Sequence, residues 1–263
     1  MPTVDQQPPT ILPAELAGVG SLELQESDRV LAEFLGFIGH RRYVAYERIA
    51  SERELAERFK VGRGVIREVL SKLEGMRVIE RRRNSGIYLA NVEAEGSIDA
   101  LVLSTAAGLP VSVEDVRQLS EMRMLIEVQA AGIACQRRDD ADIAKLDAIL
   151  TRSEALLTVG QSLADIDPEF HLQMIACSKN KFLRRVAHSF YLVSRERRCA
   201  YFLSPEQCRK SHAQHMKLRD ALVSRDYEHM TVLLQSHLRG VESYLLDRLK
   251  LLEIVDKGDK SHD

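Results

Sequence analysis

Residues 51 to 70 constrain the fold more than any other stretch of the chain. They read Ser-Glu-Arg-Glu-Leu-Ala-Glu-Arg-Phe-Lys-Val-Gly-Arg-Gly-Val-Ile-Arg-Glu-Val-Leu. Ser51 and Glu54 fit a capping box, S-x-x-E, so a helix begins at Ser51 with Leu55 and Phe59 as its apolar stripe. Val61-Gly62 predicts a tight glycine turn. A second helical pattern then runs to about Glu74, with Val65, Ile66, Val69, Leu70 and Leu73 inward. Arg63 and Arg67 lie one turn apart on that second helix and can point the same way. A bracing helix, a tight turn and a helix that offers guanidiniums is the order of a helix-turn-helix.

The flanks agree. A helix from Ser27 or Asp28 to about Gly39 carries Val30, Leu31, Phe34, Leu35 and Ile38 on one face. Downstream, the β-rich runs 77–80 and 87–90 bracket the polar loop 81–86, and a hairpin in that place reads as a wing. The start of a recognition helix meets base edges, and arginine suits a bidentate contact with guanine, so Arg63 and Arg67 are candidate readers of DNA. Gly62 and Gly64 lack side chains and let the backbone approach a phosphate closely. Arg53 is placed for a phosphate or a base, and Arg81, Arg82 and Arg83 for the minor groove or backbone. The formal net charge is only -2. From Ser51 to Ala90, however, ten Lys/Arg stand against six Asp/Glu, a local +4, and a local basic face is enough to attract phosphates.

A length of 263 residues predicts two domains. Residues 1–24 hold four of the seven prolines and no period, which predicts a loose tail. The winged helix-turn-helix spans 25–92, and the polar segment Asn91 to Gly96 is the expected boundary. From 97 to 252 nothing resembles a strand. Helical patterns run over about 98–107, 113–136, 140–158, 163–178, 181–202, 205–224 and 227–251, punctuated by Gly108-Leu109-Pro110, Asp139-Asp140, Lys179-Asn180 and Ser204-Pro205. The expected fold class is mostly α: a winged head followed by an antiparallel bundle of six or seven helices. Cys135, Cys177, Cys199 and Cys208 form no CxxC and read as buried free thiols. With no signal peptide and no apolar run of membrane length, a soluble cytoplasmic protein without membrane contact is expected.

The second half offers Asp167-Pro168-Glu169-Phe170-His171, then His215, then His237. Asp167 and His171 share a helix face at i and i+4. Each histidine has apolar neighbours at helical spacing, which points it inward. Three imidazoles and a carboxylate suit a borderline divalent ion, zinc first, with nickel or manganese as alternatives. Spacing alone does not bring these residues together. Core histidines without a metal, and Asp167 as a mere helix cap before Pro168, remain open. Asp165 is an alternative carboxylate. Arg123 sits on an otherwise apolar helix, where it wants an anion: a bound carboxylate, or Glu127 one turn on. His188, His212 and His229 read as surface residues.

Taken in order, these constellations resemble the GntR family of bacterial transcription regulators, in its FadR-type branch with an all-helical FCD effector domain. The resemblance covers roughly residues 27–250. It rests on Ser51-Glu52-Arg53-Glu54-Leu55-Ala56, Val61-Gly62-Arg63, Val65-Ile66-Arg67-Glu68-Val69-Leu70, Asp167-x-x-Phe170-His171 and the turn Cys177-Ser178-Lys179-Asn180. It implies DNA contacts at Arg53, Arg63, Arg67 and the wing Gly86. It also implies a metal held by Asp167, His171, His215 and His237, and a small carboxylate effector held by Arg123 and Asn180. The family usually carries hydroxyl residues beside the recognition arginine, where this chain has Gly62 and Gly64. The expected protein is a homodimeric, ligand-responsive regulator, most simply a repressor, on a palindromic double-stranded operator. The rival expectations are a regulator that senses the metal itself and a metal-dependent hydrolase.

Overall fold

A computed structural model describes residues 26–259 except 42, 108, 110 and 111. The tail expected at 1–24, and Gly108 and Pro110 of the expected break, lie outside the described residues. The head consists of α1 (Glu26–Arg41), β1 (Arg48–Ala50), α2 (Glu52–Phe59), α3 (Arg63–Gly75), β2 (Ile79–Arg82) and β3 (Gly86–Leu89). The capping box is present: Ser51 Oγ accepts from the Glu54 N–H at 3.3 Å, and the Ser51 N–H donates to Glu54 Oε2 at 2.6 Å. Val30, Phe34, Leu55, Ile66, Leu70 and Leu73 are buried together in one core.

Two details differ from the sequence reading. The turn after α2 is made left-handed by Lys60, with φ 55°, whereas Gly62 has an ordinary φ of -66° and simply precedes α3 without a side-chain cap. The wing is also three-stranded, in the order β1-β3-β2 and antiparallel throughout. Strand β1 has only three residues, too few for a period-2 pattern to register.

A short α4 (Val92–Glu95) occupies the expected boundary, and α5 (Ile98–Ala106) follows. Ala100 is buried in the head core and Leu103 packs against it. The same helix lies against α9 (Lys181–Val193) of the second domain. Helix α5 therefore touches both halves.

The remaining helices are α6 (Val113–Arg137), α7 (Asp140–Thr158), α8 (Asp167–Ala176), α10 (Arg195–Tyr201), α11 (Pro205–Ser224) and α12 (Tyr227–Asp259). Capping boxes at Ser112/Asp115 and Asp139/Asp142 start α6 and α7. The carbonyls that end α6 are capped from afar: Arg225 donates to Cys135 O at 2.6 Å and to Arg138 O at 3.0 Å. The helix expected over 163–178 starts only at Asp167, with Pro168 in its first turn. The helix expected over 181–202 is broken at Ser194 into α9 and α10. Helix α6 packs along α12, α8 and α9, while α11 packs on α12 and α7. Cys135, Cys177 and Cys208 are buried free thiols and Cys199 is half-buried. Burial pushes the Cys177 thiol up to about 12, so it is inert.

Candidate metal centre and DNA-reading surface

Residues far apart in sequence meet at the centre of the helical domain. Asp167 and His171 come from α8, His215 from α11 and His237 from α12. Their ligand atoms all lie within 4.8 Å of one another, and all four residues are buried. His171 Nε2 stands 3.1 Å from His215 Nε2 and 3.3 Å from His237 Nε2. An Asp167 oxygen is 3.7 Å from His171 Nε2 and 3.5 Å from His215 Nε2. Asp165, the alternative carboxylate, is exposed.

The hydrogen bonds on the far side of each ring show what this box accepts. His171 Nδ1 faces Glu127 Oε2 at 2.7 Å, and His237 Nδ1 faces Gln214 Oε1 at 2.8 Å. Both oxygens are acceptors, so both Nδ1 atoms carry a proton and each ring turns its Nε2 inward. Burial, reinforced by the neighbouring rings and Arg123, holds His215 and His237 well below the ordinary histidine value, so they are neutral near pH 7. Three imidazole nitrogens and a carboxylate oxygen thus converge on one point, with Ser211 Oγ 3.4 Å from His215 Nε2. Such a set could hold a divalent cation, and N₃O donors suit zinc or a similar ion.

Glu127 is the residue whose importance sequence reasoning missed. It was visible only as a possible partner of Arg123 one turn away. It is fully buried on α6 and accepts from three groups: Arg123 Nε at 2.6 Å, Tyr191 OH at 2.5 Å and the His171 ring at 2.7 Å. Burial alone would raise its carboxyl, but Arg123 and His171 outweigh that and hold it ionised below the usual carboxylate range. Arg123 also donates to Tyr191 OH at 2.9 Å.

A cavity opens beside the histidine–aspartate box. Its charged lining comes from Arg123, Asp167, Arg197, Arg198 and Glu242, with Tyr191 beside them. Asn180 does not line it. Its Oδ1 instead accepts from the backbone N–H groups of Phe182 and Leu183 and caps α9. A carboxamide used in this way has its oxygen spent on the helix start. His212, expected at the surface, is half-buried with Nδ1 3.0 Å from Ser153 Oγ.

In the head, Arg53, Arg63 and Arg67 are exposed. Arg53 pairs with Glu57 and Arg67 with Glu52, each at 2.9 Å. Among the described residues Arg63 has no ion-pair partner, so the first guanidinium of α3 is free for a base. Arg81 pairs with Glu74 and Arg82 with Glu80. A Cβ on Gly62 or Gly64 would meet nothing within 4 Å, so packing does not demand either glycine. Gly86 is different. At φ +126° a Cβ there would fall 3.2 Å from Ala50 O, so the turn into β3 itself requires glycine.

A winged helix-turn-helix joined to an all-helical domain with a buried His–Asp box defines a two-domain transcription regulator. Residues 27–89 match the bacterial regulatory proteins of the gntR family, and residues 118–240 match the FCD domain. The chain is 27% identical over 204 residues to the HTH-type transcriptional regulator LutR of Bacillus subtilis, covering 76% of this chain and 91% of that protein. It is 28% identical over 218 residues to the Nta operon transcriptional regulator of Aminobacter aminovorans, covering 82% and 93%. The galactonate operon transcriptional repressor of Escherichia coli is 26% identical over 166 residues, covering 63% and 72%. A solved structure of Lar, which controls the Listeria monocytogenes agr system, has a TM-score of 0.64 at 19% identity, covering 85% and 97%, and so shares the fold. The chain belongs to the gntR family with an FCD domain and is a DNA-binding transcription regulator, not an enzyme. No helix among the described residues is long and apolar enough to cross a membrane.

Proposed function

We propose that this regulator is a homodimeric repressor whose helical domain holds a divalent ion, zinc by preference, and a small organic acid. Asp167, His171, His215 and His237 are the ligands, and Glu127 holds His171 in the right tautomer. The ion supplies a Lewis-acidic point to which an acid oxygen can bind. Arg123 and Tyr191 line the cavity beside it. One observation carries the proposal: the Nε2 atoms of His215 and His237 both crowd His171 Nε2 within 3.3 Å, beside a carboxylate. Repression is preferred because a relative is named a galactonate operon repressor.

On DNA, each head reads one half of a palindrome. Arg63 and Arg67 meet base edges; Arg53 and the backbone at Gly62, Gly64 and Gly86 meet phosphates. The division falls at 25–92 and 97–252, with α5 seated in the head's core. A change at Tyr191 is felt along α9, and α9 packs on α5. Acid binding therefore biases the arrangement of the heads, with a coupling of about 1–3 kcal/mol typical of such switches.

Elemental analysis of the purified chain, combined with anisotropy titration of a duplex from its own promoter, tests both halves. Stoichiometric zinc that His215→Ala abolishes, and operator affinity that a carboxylic acid lowers, are expected. Metal-free protein with an intact fold would defeat the ion. Operator affinity that follows free zinc and ignores every acid would favour metal sensing instead.

A further inference from the structure

Helix α6 carries its charge inward. Between Met122 and Gln136 the only charged residues are Arg123 and Glu127, and they turn inward and pair at 2.6 Å. The outer face of that stretch is therefore uncharged. Leu125 is 62% exposed on it, and the exposed Gln129 and Gln136 continue the stripe at helical spacing. A seat for an apolar side chain lies on the same face. A Cβ on Gly132 would fall 2.7 Å from Tyr227 Cε2, so the missing side chain lets the tyrosine ring lie close on α6. Tyr227, Gly132, Ile133 and Gln136 wall a shallow groove there, with Gln129 at its edge.

These features are spaced evenly about Gln129. Leu125 lies four residues before it and Ile133 four after. Glu121 stands eight residues before it and Arg137 eight after, both exposed. Among the described residues neither has an ion-pair partner. A twofold axis through Gln129 sets two copies of α6 antiparallel, and residues equidistant from Gln129 then face each other. Leu125 of each copy enters the groove at the partner's Ile133, and Glu121 meets the partner's Arg137. Gln129 meets its own copy, which an amide tolerates because it both donates and accepts. A face that holds both knob and hole, and both signs of an ion pair, at matched distances fits a second copy better than an unrelated protein.

We propose that two copies of this chain pair antiparallel through the outer faces of α6, with Gln129 on the twofold axis. This rests on the homodimer reading above and adds the surface. The contact runs about 24 Å from Glu121 to Arg137 at the usual helical rise. Helix α5 precedes α6 and is seated in the head's core, so this pairing sets how far apart the two heads stand.

The test is cysteine cross-linking and sedimentation of the full-length protein. Gln129→Cys, oxidised with diamide, should give a disulfide-linked dimer, because the introduced thiols face each other across the axis. Gln118→Cys should not, since its two copies would lie about 33 Å apart along the helices. Leu125→Glu should weaken the dimer at least about a hundredfold, the loss expected of a central anchor. Glu121→Arg should weaken it about tenfold, and adding Arg137→Glu should restore it. Thermal melts confirm that each variant folds. A wild-type dimer with no Gln129→Cys cross-link, or with Gln118→Cys linking equally well, would overturn this surface while leaving the homodimer standing. So would a Leu125→Glu variant that dimerises normally. A charge swap without rescue would overturn the antiparallel register. A wild-type chain that stays monomeric at every concentration would remove the homodimer reading and this inference with it.

Discussion

The two halves of this molecule handle charge in opposite ways. In the head, Arg53 and Arg67 lie in the open, each leaning on a glutamate at 2.9 Å with about two-thirds of its side chain exposed. Exposed pairs of this kind are worth roughly 0–1 kcal/mol. They hold the arginines in a ready pose and yield to a phosphate at little cost. In the helical domain, Arg123, Glu127 and His171 form a chain with almost no exposure. There each charge is fixed by its partner, and the loss of one strands the others. The head is built to exchange partners, and the receptor is built to keep them.

The sharpest break of that contrast is Glu127→Ala. It leaves Arg123 and His171 without their shared acceptor, and about 3–5 kcal/mol of stability should be lost in urea denaturation. A loss of less than about 1 kcal/mol would place the triad with the surface pairs. On the head, Arg63→Ala should cost about 1–3 kcal/mol of operator binding and relax one base preference. Arg53→Ala should instead weaken all duplexes alike and reduce the salt slope by about 1. An unchanged operator isotherm for Arg63→Ala would remove it from the reading set.

A pH series sharpens the comparison further. His215 and His237 are held below the ordinary value of 6.5 in the fold. The unfolded chain therefore takes up protons first, so stability is full above that value and falls as pH drops beneath it. In EDTA-treated protein the urea midpoint should decline between about pH 7.5 and about pH 5.5. A flat profile would mean that the two rings are not held neutral by burial. The smallest expected effect is in the head. Gly62 precedes α3 with no side-chain cap and open space around its Cα. Gly62→Ser should raise the melting temperature slightly, by a few tenths of a kcal/mol in stability terms at about the usual gain from such a cap.

How far the sequence could be read follows the same division. The head was legible because its signals are local: Ser51 with Glu54, Leu55 with Phe59, and Arg63 with Arg67 each lie within two turns. What escaped was equally local but too short or unusual. Strand β1 has three residues, and the left-handed turn falls on Lys60, a residue type that does not announce it. In the helical domain the candidates Asp167, His171, His215 and His237 could be named from their apolar surroundings, but only the packing of α8, α11 and α12 brings them together. The hub role of Glu127 depends on Tyr191, 64 positions away, and no spacing rule reaches that far. Asn180, expected at the effector, caps α9, since an asparagine in such a turn serves a cap and a ligand equally well.

Helix α5 carries a mechanical consequence. Ala100 is embedded in the head's interior while the same helix rests on α9, so the stretch between the halves is not a slack tether. A single residue inserted within α5 would rotate everything beyond it by about 100° and turn its two contact stripes out of phase. Operator affinity should then survive while its response to the acid disappears, as in a clutch whose plates no longer meet.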